Sequence, residues 1–499
     1  MATSFNTYLT PGVTVQEIPT PSVPSPVGIP GALPCLIGES VNYTTGQDTF
    51  LPTTTAPYTL SQLGVAVSTN SGGVEVFTNG SVVDRYTGVV FTPGTDYTIT
   101  VNASTDGNSI DTTTILAPTS GSRMLPANGG SGFALINYQY TNSSYFQPYL
   151  FRSFNSVSAF YGSPLTASGQ VNSPLSLAAY FAFQNGAQEI MCLAVESSSS
   201  TPSNTDWSNS INQLTSQQGI DVIVPITGTQ TVHDDLYSFI NIQALNSIYT
   251  RGFVGLDGVA NSVTTSVIQA EAQGFNSTRM TVVSPPVVTF NAGLNGLQSQ
   301  SIIYLGGQYL AAGLAGLFAS QSGVQIPMTQ KAIAGFYSIP NQLTKTDTVT
   351  LQSNGVCCLY QHRSGAILVQ QALTTNMTDY LSREISVQAA EDKLYQVLDN
   401  TLLSQGLIGN VLLPSTPLTV ASAVVNALDT AMQSGLIQGY DTITYSVPPN
   451  NPTTVLITFL YLPTLPLNYI QVQYGIDTTS GATGFSSTVS GLTASSTTA

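Results

Sequence analysis

Residues 174–195 read PLSLAAYFAFQNGAQEIMCLAV. Pro174 suits the first turn of a helix, where its missing N–H is no loss, and the apolar run continues to Phe183. Gly186 can take the left-handed conformation that closes a helix, so the spacing predicts a helix over Pro174–Asn185. Glu189 to Val195 then reads as a strand. The same alternation continues outward: strand Ile220–Ile226, helix Leu236–Tyr249, strand Phe253–Leu256, helix Val263–Phe275, strand Met280–Val283. A helix over Ile302–Ala319 follows, uncharged but broken by Gln308 and glycines, which favours a buried small-residue helix over a membrane span. Strands alternating with helices of this length indicate an α/β layer with a largely parallel sheet.

On either side the pattern changes. Residues 43–148 are Thr, Ser, Gly and Asn with short alternating runs at Val74–Phe77, Thr87–Phe91, Asp96–Val101 and Phe133–Tyr140. Turn signals such as Pro93-Gly94 separate them, and the segment reads as an inserted β-sandwich facing outward. Beyond residue 366, a long helix over Asp379–Leu403 carries the apolar stripe Val387, Ala390, Leu394, Val397 and Leu402. Thr416 caps a second helix with Pro417 at its first position and Gly435 closing it. Strands Asp441–Val447, Thr453–Tyr461 and Leu467–Ile476 complete an α+β domain. At the amino terminus, Pro11-Gly12 precedes the alternating Val13, Thr14, Val15, Gln16 and Glu17, and prolines 19, 21, 24, 26, 30 and 34 make a stiff tether behind them. Such a strand needs a sheet edge, on its own chain or on a neighbour; a frayed terminus is the bland alternative.

The string YLTPGVTVQEIPTP (8–21), followed by Ala32 to Gly38, resembles the start of contractile bacteriophage (myovirus) tail sheath proteins. Six further stretches resemble that family in the same order: Asn172–Val195, Arg251–Asp257, Arg279–Pro286, Tyr309–Gly335, Thr374–Val387 and Leu407–Gly409. Ser320-Gln321-Ser322-Gly323 departs from the family's acidic residue and Trp after the Ala/Gly helix, as in a divergent branch.

The resemblance implies a multidomain chain: an arm and linker (1–34), a subtilisin-like α/β middle domain without a catalytic triad (35–45 plus 149–365), the insert (46–148), an α+β C-terminal domain (366–478) and a Ser/Thr-rich tail (479–499). It implies subunits stacked as hexameric rings around an inner tail tube protein, ending on baseplate and tail terminator proteins. Terminal strands would be exchanged between neighbours, through Val13 to Glu17 and through Ile470, Val472, Tyr474 and Ile476. The acids Asp379, Glu384, Glu391, Asp392 and Asp399, matched in their segment only by Arg383 and Lys393, read as a solvated face. The resemblance makes them candidates for a tube-facing surface. Assembly in the host cytoplasm and residence in the virion tail follow from the same likeness. A phage-derived contractile injection particle is the sister reading; a β-rich secreted adhesin is the alternative from another class.

Composition sets independent bounds. In 499 residues only 7% are charged, where about 25% is usual, and Ser, Thr, Asn, Gln and Gly fill the gap. Uncharged polar surface is cheaper to desolvate than a charged one, which suits a subunit buried in an assembly. A net charge of −15 with three lysines disfavours direct nucleic-acid binding. Four scattered cysteines make neither a disulfide scaffold nor a metal clip, and no signal peptide is evident. A Ser-His-Asp enzyme would have to use His233 or His362, yet no G-x-S-x-G elbow exists, and His233-Asp234-Asp235 reads as a helix cap. No lysine follows a glycine, so a P-loop is excluded. Asp106 to Asp111 has alternate oxygen ligands like part of a calcium loop, but a plain turn explains it. The sequence therefore points to a non-enzymatic structural subunit without cofactor, metal or membrane insertion.

Overall fold

The computed structural model describes residues 32–468, apart from 41–43, 53, 63–64, 66, 71–72, 78–79, 103–112, 141–145, 197–201, 261, 298–301, 407 and 409–410. Its centre is a nine-stranded sheet in the order Tyr149–Phe151, Ile190–Ala194, Pro34–Gly38, Val222–Pro225, Arg251–Gly255, Met280–Ser284, Val356–Gln361, Ile367–Val369 and Ala332–Ile333. The six strands from 190–194 to 356–361 run parallel; the outer ones are antiparallel. Five of the six parallel strands are buried along their whole length, as expected where helices cover both faces.

On one face Trp207, Ile211, Val232, Leu236, Ile268 and Leu351 come from the helices Asn204–Gln213, Gln230–Leu245, Thr265–Phe275 and Lys345–Gln352. On the other lie the helices Pro174–Gln184 and Gly307–Ala319, the latter with all thirteen residues buried. They approach so closely that a Cβ on Gly316 would stand 2.3 Å from the Ala182 carbonyl oxygen. The helix predicted over 302–319 therefore begins at Gly307; residues Ile302–Gly306 form a strand against Val287–Asn291. Alternating exposure of Ile302 and Tyr304 with burial of Ile303 and Leu305 is the strand period that the apolar run concealed.

The insert leaves the sheet after Gly38 and returns at Tyr149, two strands away at the same edge. Between them are small antiparallel sheets around Val82, Phe91, Tyr97, Leu116, Ile136 and Tyr138, a core of their own. Thr87–Phe91 does not form the strand expected there. The Asp84 carboxylate accepts the N–H groups of Tyr86 (3.0 Å) and Thr87 (2.9 Å), turning the chain, and only Val90 bridges back to Val83.

The long C-terminal helix is Ile385–Ser404, not 379–403. Asp379 accepts from Leu381 and Ser382 N–H at 2.8 and 2.7 Å, making a turn, and Glu384 is still extended. Its buried residues join the same core as Phe181 and Leu310, and the hairpin 356–361/367–369 spans the expected boundary at 365. The second helix, Thr416–Gln433, begins at Thr416 and has no side-chain cap: the Thr416 hydroxyl turns back to accept Leu413 N–H at 2.9 Å, and Gly435 stands at φ +70° beyond the helix end. Two two-stranded sheets follow: Ile437–Tyr440 with Tyr461–Pro463, and Thr444–Ser446 with Leu456–Thr458.

Candidate functional site

The parallel strands stand in the sequence order 2-1-3-4-5-6, which places a topological switch between Pro34–Gly38 and Val222–Pro225. Ligands of open α/β sheets bind in the crevice at the carboxyl ends of such strands. Here that crevice is filled by the protein's own chain. Leu175 N–H donates to the Glu39 carbonyl at 2.9 Å, and Gly38 faces Ile226 and Leu175 side chains. Further along the edge, a Cβ on Gly255 would meet the Gly307 carbonyl at 2.3 Å, and one on Gly228 would meet the Asp257 backbone nitrogen at 2.2 Å. Asp257 spends its carboxylate on Val259 and Ala260 N–H (2.8 and 3.1 Å) and on the Gln308 amide (3.2 Å).

The histidines are disposed of by geometry. His233 is not part of a helix cap: the helix starts at Gln230, and His233 lies inside it, fully buried. Nε2 donates to the Thr227 carbonyl (2.9 Å), and Nδ1 lies 2.5 Å from Glu271 Oε1, tying two helices together. Neither nitrogen is left for a substrate. His362 is exposed in a hairpin turn, where Nδ1 accepts from Ser364 N–H at 3.2 Å and lies 2.9 Å from its hydroxyl. No acid pairs with it among the described residues. All four cysteines are buried free thiols, and burial pushes Cys357 up to about 12. Among the described residues no His, Cys, Asp and Glu group could hold a metal, and no helix is long and apolar enough to cross a membrane. Asp106 to Asp111 lies outside the described residues.

The acidic residues singled out in the C-terminal domain do not share one solvated face. Glu384 is 2% exposed and accepts from the Gln371 amide at 2.7 Å. Asp392 is 6% exposed and holds Arg251, whose other nitrogen donates to the Thr278 carbonyl at 3.1 Å, and Arg279 at 2.5 Å. Arg279 also stacks its guanidinium 5.0 Å from the Tyr249 ring centroid. Glu384 and Asp392 are thus removed from the tube-facing set. The arginines that hold Asp392 lie 113 and 141 residues away, so for that residue the local scarcity of cations was misleading. Asp379 is exposed, and Glu391 and Asp399 are partly so.

Of the two small C-terminal sheets, the Ile437–Tyr440 and Tyr461–Pro463 pair is buried to half-buried. A two-stranded sheet is marginal in water. The 444–446 and 456–458 pair is largely solvent-facing, with Tyr445 47% and Leu456 48% exposed. Nearby, the charge-free connection between Asp399 and Asp429 exposes Leu403, Val411, Leu413 and Leu418. The strand-exchange residues Val13, Thr14, Val15, Gln16, Glu17, Ile470, Val472, Tyr474 and Ile476 lie outside the described residues.

Residues 200–375 match the phage tail sheath protein central domain. A tail sheath protein of Mycobacterium phage Bxz1 is 28% identical over 417 residues, 83% of this chain and 70% of that protein. The contracted helical sheath of the anti-feeding prophage aligns with 94% of this chain and all of its own, at TM-score 0.53 and 14% identity. A chain of the anti-feeding prophage baseplate does so with the same coverage and identity at TM-score 0.51. At such identity these two structures show a common fold.

Proposed function

We propose that this chain, a homologue of contractile tail sheath proteins, polymerises as stacked hexameric rings around an inner tail tube and contracts to drive that tube through a host envelope. The observation that carries the reading is the likeness to a tail sheath protein along most of both chains. The geometry agrees with it: the edge where an α/β enzyme would hold its substrate is filled by backbone. We therefore assign no catalytic activity, and the energy of contraction comes from subunit packing, not from a nucleotide.

The finer parts of the reading rest on the resemblance and on open edges. The middle domain is taken as subtilisin-like. The insert, with its separate core, faces outward and leaves the contractile lattice to the rest of the chain. Terminal strands of neighbouring subunits, Val13–Glu17 and Leu467–Ile476, complete a sheet in each C-terminal domain, each backbone hydrogen bond contributing about 1 kcal/mol net. Of the acids assigned to the tube-facing side, Asp379 is exposed and Asp399 partly so, while Glu391 already accepts from Gln388 and Tyr395. Baseplate and terminator proteins close the two ends, and assembly precedes release from the host cytoplasm.

Removing residues 1–20 tests the linkage. The truncated chain should fold and melt like the full one, yet sediment as single subunits where the full chain pellets as tubes. Long tubes from the truncated chain would make the arm a passive tail.

A further inference from the structure

Three of the chain's ten cations, Arg251, Arg279 and Lys393, gather at the amino edge of the sheet with three carboxylates, Asp221, Glu391 and Asp392. Concentrating charge there, in a chain so poor in it, calls for a role. The cluster surrounds a small cavity lined by Asp221, Tyr249, Arg251, Asp392, Lys393 and Gln396. Its members come from four parts of the chain. Asp221, just before the strand 222–225, accepts Leu33 N–H on Oδ2 at 2.8 Å, and its own N–H donates to the Leu33 carbonyl at 3.0 Å. Leu33 immediately precedes the strand Pro34–Gly38. Arg251 N–H donates to the Asp221 carbonyl at 2.9 Å, and its guanidinium reaches Asp392 on the helix 385–404. Arg279 grips the same carboxylate from the next strand, while Tyr249 meets Tyr395 of the helix at 5.7 Å.

We propose that this cluster is a mechanical joint that makes the root of the amino-terminal segment and the C-terminal helix move as one body. A pull on Leu33 passes through the Asp221 hydrogen bonds to the Arg251 backbone, and from the Arg251 guanidinium through Asp392 to the helix. An ion-pair network suits this task better than apolar contact, because a buried charge released from its partners is left uncompensated, so the joint resists partial opening. Arg251 is 4% exposed, so water does little to replace a lost partner. Only the load rests on the sheath reading; the coupling belongs to the isolated chain.

Hydrogen exchange read by mass spectrometry on the full chain, as a double-mutant cycle, tests it. Asp392→Asn should speed exchange in the peptide containing Leu33 by about tenfold, and Asp221→Asn should do the same for the helix 385–404. Asp221→Asn combined with Asp392→Asn should add little to either single change. Lys393→Gln, at the half-buried rim, gives a milder version should Asp392→Asn fail to fold. Effects confined to the mutated element, additive effects, or an equal loss in the remote strand Ile190–Ala194 would overturn the joint. Failure of the wild-type chain to form tubes would sink the sheath reading and leave this coupling to stand or fall by itself.

Discussion

At the carboxyl ends of the parallel strands, backbone meets backbone at Gly228, Gly255 and Gly307; at the amino ends, one carboxylate, Asp392, holds two arginines. In α/β enzymes the carboxyl edge holds the chemistry, and loops there are spread to admit a substrate. Here the glycines let the loops close until no side chain fits between them. The amino edge, usually a matter of stability alone, carries the charge that joins the sheet to the C-terminal helix. The same architecture is thus closed at one end and tied to the C-terminal helix at the other. The difference teaches that a fold's customary site is a place where function can be built, not a sign that it was.

The largest effect should come from the amino edge. Asp392→Ala leaves Arg251 and Arg279 without their shared carboxylate and should cost about 3–5 kcal/mol in urea unfolding. A loss under about 1 kcal/mol would mean that water reaches the arginines and that the two edges differ less than described. Next, Gly255→Val drives a side chain into the Gly307 carbonyl and should cost about 3 kcal/mol; a neutral result would reveal slack at the sealed edge. Smallest of all, His362→Ala in its exposed turn should change stability by no more than about 0.5 kcal/mol. With it goes a sharper check: a serine-reactive fluorophosphonate should label neither this variant nor the wild type. Labelling of the wild type alone would place chemistry at Ser364 and break the contrast between the edges.

Much of the architecture was legible because the parallel strands are short apolar runs bounded by turn residues. Residues 174–195 alone gave a helix, its end and a strand, within a residue or two of the structure. Where the reading slipped, the cause is local chemistry that hydropathy does not carry. Ile302–Gly306 was absorbed into a helix because an apolar strand feeding directly into an apolar helix shows no boundary. Thr87–Phe91 lost its strand to one carboxylate, Asp84, that takes backbone donors for a turn. His233 was read as a cap because Asp234 and Asp235 follow it, while its partner Glu271 lies 38 residues away. Asp392 failed in the same manner and more severely, since its arginines are 113 and 141 residues distant. Only the scarcity of cations could have hinted at that pairing: with ten in the chain, a buried acid has few possible partners.

Electron microscopy of the purified full-length chain tests the account most directly. A sheath subunit that carries its own linking strands should assemble without other proteins into hollow tubes built from stacked six-fold rings. The inserted β region should appear as knobs on the outer surface of those rings. A chain that stays as dispersed single subunits, at high concentration and in the presence of its inner tube, would contradict the account.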